Sequence, residues 1–303
     1  MKFITFKTRE NNVLAGYLTD NETKVVDMHD ASDGVVPNNM RAFLEDSEKN
    51  LALVRSLDAL DESKYAIEDV KLLAPLPNPN SFRDYVGFEM HMKNAKSKTN
   101  SPVPKEWYEF PFFYFSNHNT IKGPNEPIRY PNGCERLDYE LELGCIIGKY
   151  GENIKAEDAE EYIFGFTVLN DWTARDTQLS EIRIGLGMSK GKDFATSIGP
   201  CIVTLDEFEP YREGDVFNLQ MISKRNGEVL CDGNYNTVYY TFGQMIERAS
   251  TNAAVHPGDL LGSGTVGFGT ILETGPEKSG WLKQGDEIEL YITGIGTLKN
   301  KIV

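Results

Sequence analysis

Apolar and polar side chains alternate through the start of the chain, in Phe3-Ile4-Thr5-Phe6, in Val13 to Leu18 and in Lys24 to Asp27. Successive side chains of a strand point to opposite faces. The turn-forming Asn11-Asn12 and Thr19-Asp20-Asn21 separate these runs, so the pattern predicts a small antiparallel meander. Between residues 38 and 60 the period changes: Met40, Phe43, Leu44, Leu51, Val54 and Leu57 recur at the intervals of one helix face. Pro75, Pro77 and Pro79 then forbid a continuing helix, since each lacks an amide hydrogen and biases the residue before it towards extended backbone. This places a small N-terminal α+β domain at 1–73 and a larger domain at 74–303. Strands are expected at 137–147, 163–170, 199–205 and 217–226, and the tail from Asp286 reads as a strand, a glycine turn and a second strand. Helical spacing returns at Thr241 to Ala249, where Phe242, Met245, Ile246 and Ala249 share a face. Because strands and helices do not alternate regularly, the expected class is a β-rich α+β fold and not a doubly wound sheet.

Composition narrows the partners. The 303 residues are 40% hydrophobic and 25% charged, ordinary for a globular chain, with a formal net charge of −15. An acidic surface repels nucleic acid and anionic membrane. No window reaches the 18 or more apolar residues of a membrane span, and Met1 to Phe6 lacks the apolar run of a signal peptide, so cytoplasmic residence is expected. Cys134, Cys145, Cys201 and Cys231 have no CxxC spacing, which excludes a zinc knuckle or dithiol motif.

Candidate chemistry begins at Leu137-Asp138-Tyr139-Glu140-Leu141-Glu142-Leu143. In a strand, Asp138, Glu140 and Glu142 face one side, with acids two apart roughly 7 Å from each other. Such a row is unfavourable unless water or a cation lies above it. The bland alternative is a solvated strand face. Against it, glutamate is a poor strand former, and the segment runs into the apolar Gly144 to Ile147. A second apolar strand ends at Asp171, and strand ends are common places for catalytic groups. Carboxylates without a Cys or His ligand pattern favour a hard cation, Mg²⁺, Mn²⁺ or Ca²⁺, over zinc.

Several further motifs follow in order. They are Asn170-Asp171-Trp172-Thr173-Ala174-Arg175-Asp176-Thr177-Gln178, Gly191 to Phe194 with Ile198-Gly199-Pro200, Leu261 to Thr265, and Gly294 to Asn300. With the paired-glutamate strand they resemble the fumarylacetoacetate hydrolase family over about residues 70 to 303. The resemblance implies a mixed β-sheet roll or sandwich as the catalytic domain. It implies Glu140, Glu142 and Asp171 as metal ligands with Asp84 as a fourth, and Mg²⁺ ahead of Ca²⁺ or Mn²⁺. It implies His91 paired with Glu273 to activate water, Lys192 and Gln178 as stabilisers of a developing oxyanion, and Thr265 as a substrate contact. The activity it implies is hydrolysis of a C–C bond in a β-diketone-type acid, fumarylacetoacetate- or acylpyruvate-like. The alternative is decarboxylation or keto–enol isomerisation of the oxo-diacids of aromatic catabolism. A homodimer and a small carboxylic acid substrate complete the expectation.

Two positions depart from the family. Asn94 stands where many smaller members carry a glutamate three residues after the histidine, which favours Glu273 as the partner, and Val86 replaces a substrate-binding tyrosine. Each assignment also has a plainer reading. His91 would be a surface histidine in a polar run, and Lys192 a solvated lysine. Arg175 and Asp176 read as a structural ion pair. Gly262-Ser263-Gly264-Thr265-Val266-Gly267 fits GxGxxG, but Thr270 to Glu273 is too short for the helix a dinucleotide site needs. A metal- or ligand-binding protein without turnover is the competing class of function.

Overall fold

The computed structural model describes residues 1–19, 21–58, 65–98, 100–185 and 187–303. The expected meander forms as Lys2–Lys7, Val13–Thr19 and Lys24–Asp27, paired antiparallel. It is also one side of a twelve-stranded mixed sheet, because Lys2 and Phe3 pair with Val203 and Ile202 of the strand Thr196–Thr204. From there the order runs through Ile163–Asp171, Leu141–Ile147, Leu260–Gly262, Phe82–Tyr85 and Phe113–Phe115. A second, four-stranded sheet contains Glu228–Asn234, Gln220–Arg225, Glu287–Ile292 and Gly296–Lys301. Residues on both sides of the proline-rich linker therefore share one sheet.

Alternation along the central strands divides the core in two. Leu143, Cys145, Phe166, Val168, Cys201 and Val203 pack with Met221, Leu290, Ile292 and Leu298 of the second sheet. Their neighbours Ile146, Phe164, Leu169 and Ile202 face the other way, against Phe3, Met40, Phe43 and Val54. Period two thus buries both faces of the sheet, which is why these strands read as nearly continuous apolar runs. Among the described residues, no helix is long and apolar enough to cross a membrane.

The helical spacing of residues 38–60 yields two helices, Met40–Glu45 and Ser47–Asp58, with residues 59 and 60 outside the described part. Asp46 leaves helical geometry between them. The Asn50 side-chain amide then donates to the Phe43 carbonyl that the break has freed. Phe242–Ser250 forms as expected, started by a capping box in which Thr241 and Gln244 exchange side-chain and backbone hydrogen bonds. At Thr270 to Glu273 the chain closes only a single helical turn, Ile271–Thr274, capped by the Thr270 hydroxyl and too short for a dinucleotide site. The strand expected over 137–147 is interrupted. Leu137–Asp138 pairs with Thr173–Ala174, and the main-sheet strand begins at Leu141.

Candidate active site

Five adjacent strands bring the site together at one end of the main sheet. Asp171 closes Ile163–Asp171; Glu142 lies on Leu141–Ile147, with Glu140 just before it; Gly262 ends the next strand, Asp84 follows on the next, and Tyr114 is on the last. Asp84 is in register with Gly262 on one side and with Tyr114 on the other. Gly262 is what allows the carboxylates to meet. A Cβ there would lie 2.3 Å from Asp84 Oδ1 and 2.8 Å from Glu142 Oε2. Gly262→Ala should therefore wedge Asp84 from Glu142 and weaken any divalent-cation binding there by tenfold or more, roughly 1.4 kcal/mol. Titration calorimetry on the folded variant reads this directly, and unchanged affinity would refute it.

The row of acids is not a solvated face. Asp138, Glu140 and Glu142 are 0%, 5% and 1% exposed, and Asp84 and Asp171 are 1% and 0%. Tyr139, Leu137, Leu141 and Leu143 point into the core, as alternation requires. Oxygens of Asp84, Glu140 and Glu142 lie within 4.8 Å of one another. Asp171 adjoins them through two shared partners. The Lys192 ammonium is 2.6 Å from Glu140 Oε2 and 2.5 Å from Asp171 Oδ2. The Tyr114 hydroxyl contacts Asp84 Oδ2 at 2.9 Å and, more closely still, Asp171 Oδ2.

The charges do not balance without a cation. Lys192 and Arg175 are the buried cations in ion pairs with a group of five buried acids, Asp84, Asp138, Glu140, Glu142 and Asp171. Burial raises the Glu140 pKa, but Lys192, Arg175 and His91 lower it further, to about 2. Asp84 receives only part of that compensation, from Lys192, and Glu142 receives none from a cation. Burial first, then the Asp171 charge, pushes Asp84 well up, and burial followed by Asp84, Glu140 and Asp171 does the same to Glu142. Asp84 Oδ1 and Asp171 Oδ1 are buried with no hydrogen-bond partner. Orphaned carboxylate oxygens beside carboxyls held above their ordinary range are what a divalent cation would satisfy, so the residues present fit such an ion.

The helix Glu89–Ser97 carries His91, whose Nδ1 is 2.8 Å from Glu273 Oε2. The other Glu273 oxygen, Oε1, accepts from Asn94 Nδ2 and from the Phe268 amide, both at 3.0 Å. Asn94 thus supports the partner carboxylate instead of replacing it. Burial lowers the imidazole pKa, but the charge and hydrogen bond of Glu273, with a further contribution from Glu140, raise it overall. Burial raises Glu273, and His91, Asn94 and the Phe268 amide bring it below its ordinary value. Since an ionised carboxylate only accepts, Nδ1 carries the hydrogen and Nε2 is the basic nitrogen of the neutral ring. His91 is buried enough, and close enough to sense Glu140, to set aside the surface reading.

Other expected residues have different neighbours. Lys192 is 2% exposed and bound between two acids, far from the solvated reading. Gln178 Oε1 accepts from Arg175 Nη1 at 3.1 Å, and its Nε2 meets the Met188 sulfur. The Thr265 hydroxyl donates to Glu142 Oε1 at 3.3 Å and the Gly264 amide to Glu142 Oε2 at 3.0 Å, so this loop braces a candidate ligand. The Arg175–Asp176 ion pair is corrected. Arg175 bonds Asp138 Oδ2 at 2.9 Å and Glu140 Oε1 at 2.8 Å, while Asp176 accepts from the Glu135 and Thr177 amides. Adjacent residues of a helix do not face each other, and that signal was present in the sequence. Tyr114 was missed, because nothing sets it apart within the aromatic run Phe110 to Phe115.

With this geometry in place, similarity to known proteins becomes informative. A family model described as fumarylacetoacetate (FAA) hydrolase C-terminal matches residues 80–303. The human protein named oxaloacetate tautomerase FAHD2A, mitochondrial, is 32% identical over 290 residues, covering 95% of this chain and 87% of its own. A fumarylacetoacetate hydrolase structure from Exiguobacterium antarcticum superposes with a TM-score of 0.76 at 25% identity, over 100% of this chain and 99% of its own. A 5-carboxymethyl-2-hydroxymuconate delta-isomerase from Mycobacterium smegmatis shares the fold, with a TM-score of 0.71 at 22% identity over 100% and 99% of the two chains. The model spanning most of the chain, and a relative aligned over nearly all of it, establish that this chain belongs to the fumarylacetoacetate hydrolase family.

Proposed function

We propose that this chain is a divalent-cation-dependent enzyme that interconverts the keto and enol forms of a small 2-oxo dicarboxylic acid of the oxaloacetate type. His91 carries the proton, and Glu273 orients it. The observation that carries this reading is the 2.8 Å contact of His91 Nδ1 with Glu273, beside a buried carboxylate cluster. Near-full-length similarity to a protein named oxaloacetate tautomerase supports the reaction class. A divalent cation held by Asp84, Glu140, Glu142 and Asp171, Mg²⁺ before Mn²⁺ or Ca²⁺, would polarise the carbonyl as a Lewis acid.

The chain's own groups handle the proton. His91 Nε2 takes a hydrogen from the carbon next to the carbonyl, and the electron pair left behind delocalises onto the carbonyl oxygen. Glu273 stabilises the imidazolium that results. Return of the proton to oxygen gives the enol, and return to carbon gives the ketone; no carbon–carbon bond breaks. Hydrolysis of a C–C bond is the second reading. The same Nε2 can take a proton from water, and the likeness to a fumarylacetoacetate hydrolase over the whole chain favours it.

The test follows enol absorbance of oxaloacetate, and acid release from acylpyruvates and fumarylacetoacetate-type acids, with Mg²⁺ present. Faster enol decay without acid release is expected, lost by about 100-fold or more in His91→Asn. Acid release outpacing enol decay would place hydrolysis first. Tight cation binding with neither reaction would leave a binding protein.

A further inference from the structure

Asp138 lies on the acid row but outside the carboxylate cluster, and it is fully buried. Its two oxygens take four donors. Oδ1 accepts from the Tyr139 amide at 2.9 Å and the Ile271 amide at 2.8 Å; Oδ2 accepts from the Leu272 amide at 3.0 Å and Arg175 Nε at 2.9 Å. Ile271 and Leu272 open the single turn Ile271–Thr274 that carries Glu273. Arg175 in turn reaches Glu140 Oε1 at 2.8 Å.

We propose that Asp138 is a positioning residue for the His91–Glu273 pair, fixing the Ile271–Thr274 turn so that Glu273 stays against His91. A turn of four residues has little cooperative stability of its own. Its first amide hydrogens have no partner within the turn, and the Asp138 carboxylate accepts two of them. Thr270 caps the Glu273 amide at 3.1 Å from within the loop, but that hydroxyl moves with the turn. Asp138 is anchored elsewhere, to Arg175 and to the short strand paired with Thr173–Ala174. The orientation of Glu273 is therefore referred to the same arginine that holds Glu140.

Asp138→Asn is the test. The substituted amide nitrogen must face two donors, Leu272 and Arg175 in one orientation or Tyr139 and Ile271 in the other, so one of the two bonds to the turn is lost without a change of shape. His91 is followed by NMR in histidine-labelled protein, its signal assigned by its loss in His91→Asn. In Asp138→Asn its titration midpoint should fall by about one pH unit or more, as the stabilising carboxylate withdraws. A purely structural loss would lower stability and leave that midpoint where it was, and an unchanged midpoint overturns the inference. Amide exchange in the unsubstituted protein gives a second reading that does not depend on the variant folding. Protection of the Ile271 and Leu272 amides is expected, and exchange at open-loop rates overturns the inference. The inference rests on His91 as the proton carrier, but neither measurement uses substrate, so its failure is separable from failure of the proposed reaction.

Discussion

Glu142→Gln is expected to abolish divalent-cation binding and yet to raise the melting temperature of the cation-free protein at neutral pH. Glu142 is buried against Asp84 in a site whose two cations serve other acids, and burial with the Asp84 charge holds its carboxyl well above the ordinary range. A carboxyl whose pKa is higher folded than unfolded favours folding below its unfolded pKa. That contribution is lost as pH rises through the folded value. Asp84 and Glu142 both behave this way, so the cation-free protein should lose stability as pH climbs above the ordinary values of 3.8 and 4.5. A saturating cation reverses the loss, adding about 2.7 kcal/mol at a hundred times its Kd. Glutamine keeps an acceptor for the Gly264 amide and offers a donor to the orphaned Asp84 Oδ1. The variant should gain on the order of 1–3 kcal/mol without cation and nothing with it. Losing a Lewis acid worth several kcal/mol should cost about a thousandfold in rate. Thermal melts across the acid-to-neutral range, with and without Mg²⁺, check the sign. A variant that melts lower than the unsubstituted chain without cation, or still gains stability from Mg²⁺, would refute it.

The same residues show how far the sequence reaches. Period two in Leu137 to Leu143 correctly separates core-facing Tyr139, Leu141 and Leu143 from the acids, because strand geometry is local. The meander and the tail hairpin follow for the same reason. What lies across the sheet is invisible to a local pattern. That Asp84 stands two strands from Glu142 with a bare glycine between them depends on pairing between strands roughly 120 and 180 residues apart. Arg175 was misassigned to its neighbour because the group that binds it, Asp138, is brought in by the pairing of Thr173 with Asp138. Gln178 and Thr265 are expected at substrate, and the fold sets them against Arg175 and Glu142, neighbours that no local pattern names.

Glu273→Gln should produce the other large effect, a fall in maximal rate of about 10²–10⁴. Two changes act together. The carboxylate accepts the His91 Nδ1 hydrogen and so leaves Nε2 as the base. A glutamine holding its oxygen on the Phe268 amide would turn its NH₂ towards Nδ1, favouring the tautomer with hydrogen on Nε2, which cannot take a proton. The charge that raises the His91 pKa is also removed. The direction with pH follows from the role. A base must be neutral, so the rate of the unsubstituted enzyme rises with pH through the raised His91 value. In Glu273→Gln the remaining activity should reach its plateau at lower pH. The ion pair's contribution to stability runs oppositely: it is complete below the ordinary histidine pKa and is lost as pH rises through the folded one. A pH profile of kcat, with a parallel profile of melting temperature, distinguishes these. An acidic limb that stays in place while the rate falls would mean that Glu273 shapes the site without setting the proton affinity of His91, and a rate within a few-fold of the original would remove the pair from the chemistry.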